Sequence, residues 1–222
     1  MPRSLDAGVI VKETTKAIFE ELFARYPALE ACRADVSAAY DILCVSFRAG
    51  GKLLVCGNGG SASDADHIVG ELLKKFKRHR DIPADVRAAL SAQGEEGAAL
   101  AAQLEGSLPA VSLSAQGAIL TAFANDVGWE PAFAQQVLGL GRAGDVLLAI
   151  STSGNSRNCV AAARVARACG LKVVSLTGAG GGRLAALADA AVCAPVRETY
   201  QVQEFHLPIY HALCAMLEEE LF

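Results

Sequence analysis

Residues 52–71 read KLLVCGNGGSASDADHIVGE, and this stretch decides the fold. KLLVC, residues 52–56, is a short β-rich run. The GNGGSASDADH that follows punctuates a strand and opens a helix, with serine and aspartate as candidate caps. The unit is therefore strand, glycine loop, helix.

Moving outward, the same grammar recurs. DVLLAI (145–150) is followed by STSGNS (151–156) and a helical VAAARVARACG; LKVVSLT (171–177) is followed by GAGGG and a helical RLAALADA. A short strand, AAVCAP, precedes a final helix from about Gln201 to Leu221. Strands alternating with helices predict a parallel sheet covered on both faces. On the N-terminal side, Ile10, Val11, Ala17, Ile18, Leu22 and Phe23 recur at helical spacing until Pro27. A second helix carries Leu29, Cys32, Val36, Ala39, Ile42, Leu43 and Phe47 and ends at Gly50-Gly51. Residues 1–50 thus read as a helical hairpin and 51–222 as the α/β part of a single domain. The Ala, Glu and Gln-rich segment 81–108 has helical propensity but a weak packing face, and is expected as a helical or mobile excursion over the active-site edge. The basic run KKFKRHR (74–80) is expected to be solvated surface at a helix end, compensating the helix dipole, rather than a phosphate patch.

Composition narrows the function classes. A net charge of -4 with both signs mixed along the chain gives no footprint for nucleic acid or a membrane surface. The longest apolar runs, near Gly144–Ile150 and Leu171–Leu176, fall far short of the roughly 20 residues needed to cross a bilayer. Charges in MPRSLDAGVIVKETT stand where a secretory signal needs an apolar run, so the expected compartment is the cytoplasm. Seven cysteines without a CxxC pair, most of them in apolar runs (Cys44, Cys56, Cys159, Cys193, Cys214), read as buried thiols rather than a disulfide or zinc framework.

Two loops carry the chemistry. STSGNS places hydroxyls and backbone N–H groups at a helix N-terminus beyond a strand's carboxyl end, where a parallel sheet binds its ligands and an anion is favoured. Plain N-capping by Ser153, Asn155 or Ser156 is the competing reading, but one residue would suffice for a cap, and four hydroxyls in six positions favour a phosphate. In the first loop, Asn58, Gly59 and Gly60 permit close backbone approach and Ser61 offers a hydroxyl. Neither GxGxxG nor GxxxxGK[ST] order is present, so nucleotide binding is not the reading. His67 and Glu71, four apart on the helix after this loop, share a face and can point into one cleft.

CGNGGSASDADHIVGEL, AFANDVGW, GDVLLAISTSGNSRN and VQEFHLPIYHALC together resemble the sugar-isomerase (SIS) fold in its phosphoheptose isomerase branch. The resemblance spans most of the chain and fails mainly over 81–108. It implies a doubly wound, parallel five-stranded sheet and an aldose–ketose isomerase that converts sedoheptulose 7-phosphate to glycero-manno-heptose 7-phosphate in heptose biosynthesis. Such a reaction moves a proton between neighbouring carbons through an enediol, and needs one group for the carbon-bound proton and another for the oxygens. The resemblance makes Glu71 the general base and His211 the second acid–base group. It matches His67, Glu71, Gln203 and His211 to positions that bind zinc in some members, one ion per subunit, a ligand mix that suits that metal. It assigns Asn58, Gly59, Gly60, Glu71, Asn125, Asp126, Ser151, Thr152, Ser153, Ser156 and Gln203 to a phosphorylated sugar, and implies a homotetramer.

One geometric point stands beside the resemblance. On a single straight helix Gln203 and His211 would be about 12 Å apart along the axis and could not hold one ion. Either the helix begins after Gln203, with Pro208 in its first turn, or one of the two comes from a neighbouring subunit, so that sites are shared. The chain departs from the family pattern at Tyr200, where several bacterial members carry Asp, and at Pro208; both bear on substrate handling. Glu204 and His206 read as packing or supporting residues. A non-catalytic SIS protein of the replication-initiator-associating type is the alternative, but that relative lacks the acid–base pair kept here as Glu71 and His211. An isomerase for another sugar phosphate ranks lower, since amino-sugar members usually carry two SIS copies or a glutaminase domain.

Overall fold

The apolar runs become strands buried on both faces, as a parallel sheet requires. In the computed structural model, which describes residues 11–222, these are β1 (Leu53–Cys56), β3 (Val146–Ile150) and β4 (Lys172–Thr177), joined at the edges by β2 (Ala110–Ser112) and β5 (Ala190–Cys193). All pairs are parallel in the order β2-β1-β3-β4-β5, with Leu53 opposite both Ala110 and Val146, and Val174 opposite Ala190. The register at the amino end is pinned by Asp145, which accepts from the backbone N–H of Lys52 and Arg142 at 2.9 and 2.8 Å. β2 was not located by the sequence pattern: three residues on an edge carry too little periodicity.

Alternate residues along each strand face opposite layers. Val55, Val146, Leu148, Ile150, Val174 and Val192 join one core with α1 (Glu13–Arg25), α2 (Arg33–Arg48), α3 (Gly60–Leu73) and α10 (Thr199–Leu221). Leu54, Cys56, Leu147, Ala149 and Val173 join the other, with α6 (Gly117–Asp126), α7 (Ala132–Leu140), α8 (Arg157–Ala168) and α9 (Gly182–Ala185). Each fully buried aliphatic side chain contributes about 1.5–3 kcal/mol. All seven cysteines are free thiols.

Several expectations change in detail. Ile10, counted in the first helix, lies outside the described residues. Leu29 and Cys32 sit in a 3-10 turn, Pro27–Cys32, before α2 begins. The helix expected over RLAALADA is a single turn, α9, because Gly180, Gly181 and Gly182 all take positive φ and β5 starts at Ala190. Segment 81–108 does form helices, α4 (Ala84–Ser91) and α5 (Glu95–Gln103). They connect the C-terminal end of α3 to the start of β2, which places them at the amino ends of the strands rather than over the loops that follow β1 and β3.

The basic run also differs. Arg80 is fully buried, its Nε donating to Glu218 at 2.7 Å, while the backbone N–H groups of Phe76, Lys77 and Arg78 donate to the same carboxylate. The chain wraps a buried anion here, so this end of the run is core and not solvated surface.

Candidate active site

The order of the strands reverses between β1 and β3, and in an open parallel sheet the crevice at such a switch point is the ligand site. The loops after β1 and β3 flank it. The first loop is tied to the start of α8 by a reciprocal amide pair, Asn58 Nδ2 donating to Asn158 Oδ1 at 2.9 Å and Asn158 Nδ2 returning to Asn58 Oδ1 at 2.8 Å. In the second loop Ser151 and Ser156 hydroxyls are 2.9 Å apart, and Ser153 Oγ accepts from Asn155 N–H at 3.2 Å. Ser156 is the N-cap residue of α8 but makes no side-chain cap bond. The capping reading of this serine therefore fails, and the hydroxyl faces its loop rather than its helix. Thr152 accepts at its carbonyl from Gly178 N–H at 2.9 Å, and Ser61 is buried in the first turn of α3.

Helices α3 and α10 lie side by side and run in the same direction, so their residues pair in order. At the first end Gln203 sits over Gly60: a Cβ there would come 2.3 Å from Gln203 Nε2, so a larger residue would displace the glutamine amide. One to two turns on, His67 Nε2 is 3.3 Å from Glu71 Oε1, and the His67 and His211 rings are 5.0 Å apart, edge to face. Glu71 Oε2 also meets Lys74 Nζ at 3.3 Å. His211 Nε2 is buried with no hydrogen-bond partner. Burial pushes the His211 imidazole below its ordinary range, His67 adds to this, and the Glu71 charge opposes it. Neutral His211 is thus the favoured form near pH 7, and a free nitrogen lone pair or N–H is held inside the protein. His211 also lines a cleft of about 320 Å³ between α1 and α10, with Ile18, Arg25, Phe76, Lys77 and Pro208.

α10 begins at Thr199, and Pro208 lies inside it. The expectation that the helix starts after Gln203 is therefore excluded, and Gln203 and His211 stand about 12 Å apart along one axis. A zinc ion fits the residues in part. His67, Glu71 and the unpartnered His211 nitrogen are donors of the right chemistry, but the Gln203 amide is turned to Gly60, and among the described residues no three His, Cys, Asp or Glu side chains are gathered closely enough to hold a metal. Asn125 and Asp126, at the end of α6, are exposed and contact each other at 2.9 Å. His206 is packing: fully buried, with Nε2 3.2 Å from the Thr177 carbonyl and its pKa lowered by burial to about 4. Glu204 is exposed. Three participants were missed in the sequence: Asn158, Asp64 and Tyr210. Asn158 and Tyr210 have partners 100 and 143 residues away, which local patterning does not reveal; Asp64, one turn before His67, was legible by spacing.

Comparison with known proteins sets the family of the chain. A family model for the SIS domain matches residues 19–107 and 100–178, which sets the class. Phosphoheptose isomerase from Roseiflexus sp. (strain RS-1) is 42% identical over 177 residues, 80% of this chain and 77% of the relative. That from Pelobacter propionicus is 39% identical over 210 residues, 95% of each. Within the SIS class, then, the chain belongs to the phosphoheptose isomerase family and is an isomerase. Solved phosphoheptose isomerases from Neisseria gonorrhoeae (33% identical, TM-score 0.70, covering 93% of this chain and 98% of that one) and Francisella tularensis (30%, 0.73, 94% and 98%) share its architecture. Among the described residues no helix is long and apolar enough to cross a membrane.

Proposed function

We propose that this isomerase acts on sedoheptulose 7-phosphate, giving glycero-manno-heptose 7-phosphate for heptose biosynthesis in the cytoplasm. The observation that carries the reading is a carboxylate, Glu71, set against two imidazoles, one of which keeps an unpaired buried nitrogen. Glu71 takes the proton from C1 of the ketose and returns it to C2, while His211 moves a proton from the O1 hydroxyl to the O2 carbonyl oxygen; both bonds are restored at the end of the cycle. Ser151, Thr152, Ser153 and Ser156 hold the phosphate at the N-terminus of α8, and Asn58, Gly59, Gly60 and Ser61 with Gln203 line the sugar. Zinc, held by His67, Glu71 and His211 with a Gln203 from a second copy, would polarise the sugar oxygens.

The spacing within one chain favours a site shared between copies, and a homotetramer is the assembly proposed for it. Gly60 and Glu71 are about 16 Å apart along α3, so loops and acid–base groups of one copy lie far apart. Exposed Val127 and Trp129 directly follow Asn125 and Asp126, an apolar surface suited to packing that segment on a neighbouring copy. The deciding assay is turnover of sedoheptulose 7-phosphate by metal-depleted and zinc-restored protein, with Glu71→Gln and His211→Ala alongside. Loss in both variants supports the assignment, and the zinc response decides the metal; turnover that survives Glu71→Gln removes it as the base. A fully active monomer on dilution would exclude the shared site.

A further inference from the structure

Tyr210 joins α10 to α3 through one hydroxyl that serves two partners. It is 3.0 Å from His67 Nδ1 and donates to Asp64 Oδ1 at 3.3 Å, and its ring stands edge to face on His67, centroids 5.6 Å apart. Asp64 and His67 are three apart on α3 and share a face. A tyrosine has a single hydroxyl proton to place, and where it goes fixes the histidine.

Among the described residues Tyr210 is the hydrogen-bond donor to the Asp64 carboxylate, whose Oδ2 is buried without any partner. If the proton went to His67 instead, the Tyr210 oxygen and Asp64 Oδ1 would face each other as two acceptors, and an unpaired buried acceptor costs about 1–3 kcal/mol. The other side of the ring is better placed to go without that proton: the His67 side chain is 43% exposed, so water can serve Nε2 and Glu71 Oε1, and Lys74 lies against the other Glu71 oxygen. With the proton on the Asp64 side, the tyrosine oxygen accepts, and His67 Nδ1 must carry hydrogen. In the neutral ring His67 Nε2 is then a lone pair, aimed at Glu71 Oε1 at 3.3 Å.

We propose that Tyr210, backed by Asp64, is a positioning residue that holds His67 as its Nδ1–H tautomer and presents Nε2 as an acceptor beside Glu71. Two acceptors then converge on one place, ready for a shared positive group, whether a proton or the ion considered above. Partners behind a working histidine fix both ring orientation and tautomer, and their loss typically lowers activity or metal affinity by about 10–100-fold. Only the kinetic part of the inference rests on the isomerase reading.

The test is ¹⁵N-histidine NMR of the metal-depleted full-length protein, with Tyr210→Phe and Asp64→Ala. The wild type should show His67 protonated at Nδ1. Both variants should shift it toward Nε2–H: the first has no acceptor for Nδ1–H, and in the second the freed tyrosine proton turns to Nδ1. In turnover, Tyr210→Phe should lower kcat about tenfold or more while KM changes less than about twofold. A wild-type His67 protonated at Nε2, or a tautomer unchanged in both variants, overturns the proposal, as does an unchanged kcat in a variant whose tautomer has switched. The spectra decide even if sedoheptulose 7-phosphate is not turned over, and Asp64→Ala decides if Tyr210→Phe does not fold.

Discussion

Two buried polar clusters sit on the same pair of helices and are finished to different degrees. At the far end of α3 and α10, Glu218 accepts from three backbone N–H groups and from Arg80, and Arg80 in turn donates to the carbonyls of Leu72 and Glu71. One to two turns away, His211 Nε2 and Asp64 Oδ2 are buried without partners. A buried charge is tolerable only when its partners are complete, whereas an unfinished cluster is a standing cost. The first cluster is closed within the protein; the second keeps polar atoms unpaired beside Glu71.

The comparison can be broken at either end. The largest effect belongs to the unfinished cluster: Glu71→Gln should lower kcat by about 10²–10⁴-fold, the range for a general base, with Tm nearly unchanged in a thermal melt. A melt that falls as far as that of the next variant would mean that Glu71 is structural too. Glu218→Gln should do the reverse. It leaves Arg80 buried and unpaired, so stability should fall by about 3–5 kcal/mol, or roughly 6–20 °C in Tm, while turnover per folded molecule at low temperature is kept.

Acid sharpens the contrast. His206 is lowered by burial from 6.5 to about 4, so as pH falls between those values the unfolded chain takes up a proton that the folded one refuses. Stability should decline over that window by about 3 kcal/mol, and His206→Gln should flatten the slope in denaturant titrations. Glu218 acts lower. Burial would raise its pKa, but the backbone donors of Phe76 and Lys77 and the Arg80 guanidinium bring it below 4.5. Its stabilisation is therefore complete above that pH and is lost as pH drops through the depressed folded value. The smallest effect is at the loop after β3, proposed to hold the phosphate: Ser156→Ala should raise KM roughly 5–30-fold, for about 1–2 kcal/mol, and leave Tm in place. A fall in Tm with unchanged KM would restore the capping role.

What was legible in the sequence was whatever repeats locally. β1, β3 and β4 are continuous apolar runs ended by glycine and serine, and their loops and the His67–Glu71 spacing could be placed without a structure. β2 was hidden because Ala-Val-Ser has no period to detect. Arg80 was misread because its partner, Glu218, lies 138 residues on, and a basic run looks the same from sequence whether it meets water or a buried carboxylate. Tyr210 escaped for the same reason, although it adjoins His211. Pro208 argued for a late start to α10, yet the helix runs through it; packing against α1, α2 and α3 outweighs the single backbone hydrogen bond that proline removes.

The reciprocal bonds between Asn58 and Asn158 have a kinetic meaning. They fasten the loop after β1 to the first turn of α8 with two bonds inside the protein itself, so that loop does not have to be ordered by an incoming sugar phosphate. Ordering a backbone residue costs about 1–2 kcal/mol, and a cradle already set at rest spares the encounter that cost for each residue it holds. Capture of the phosphate should then resemble docking on a rigid surface, fast in and governed by how readily the product leaves.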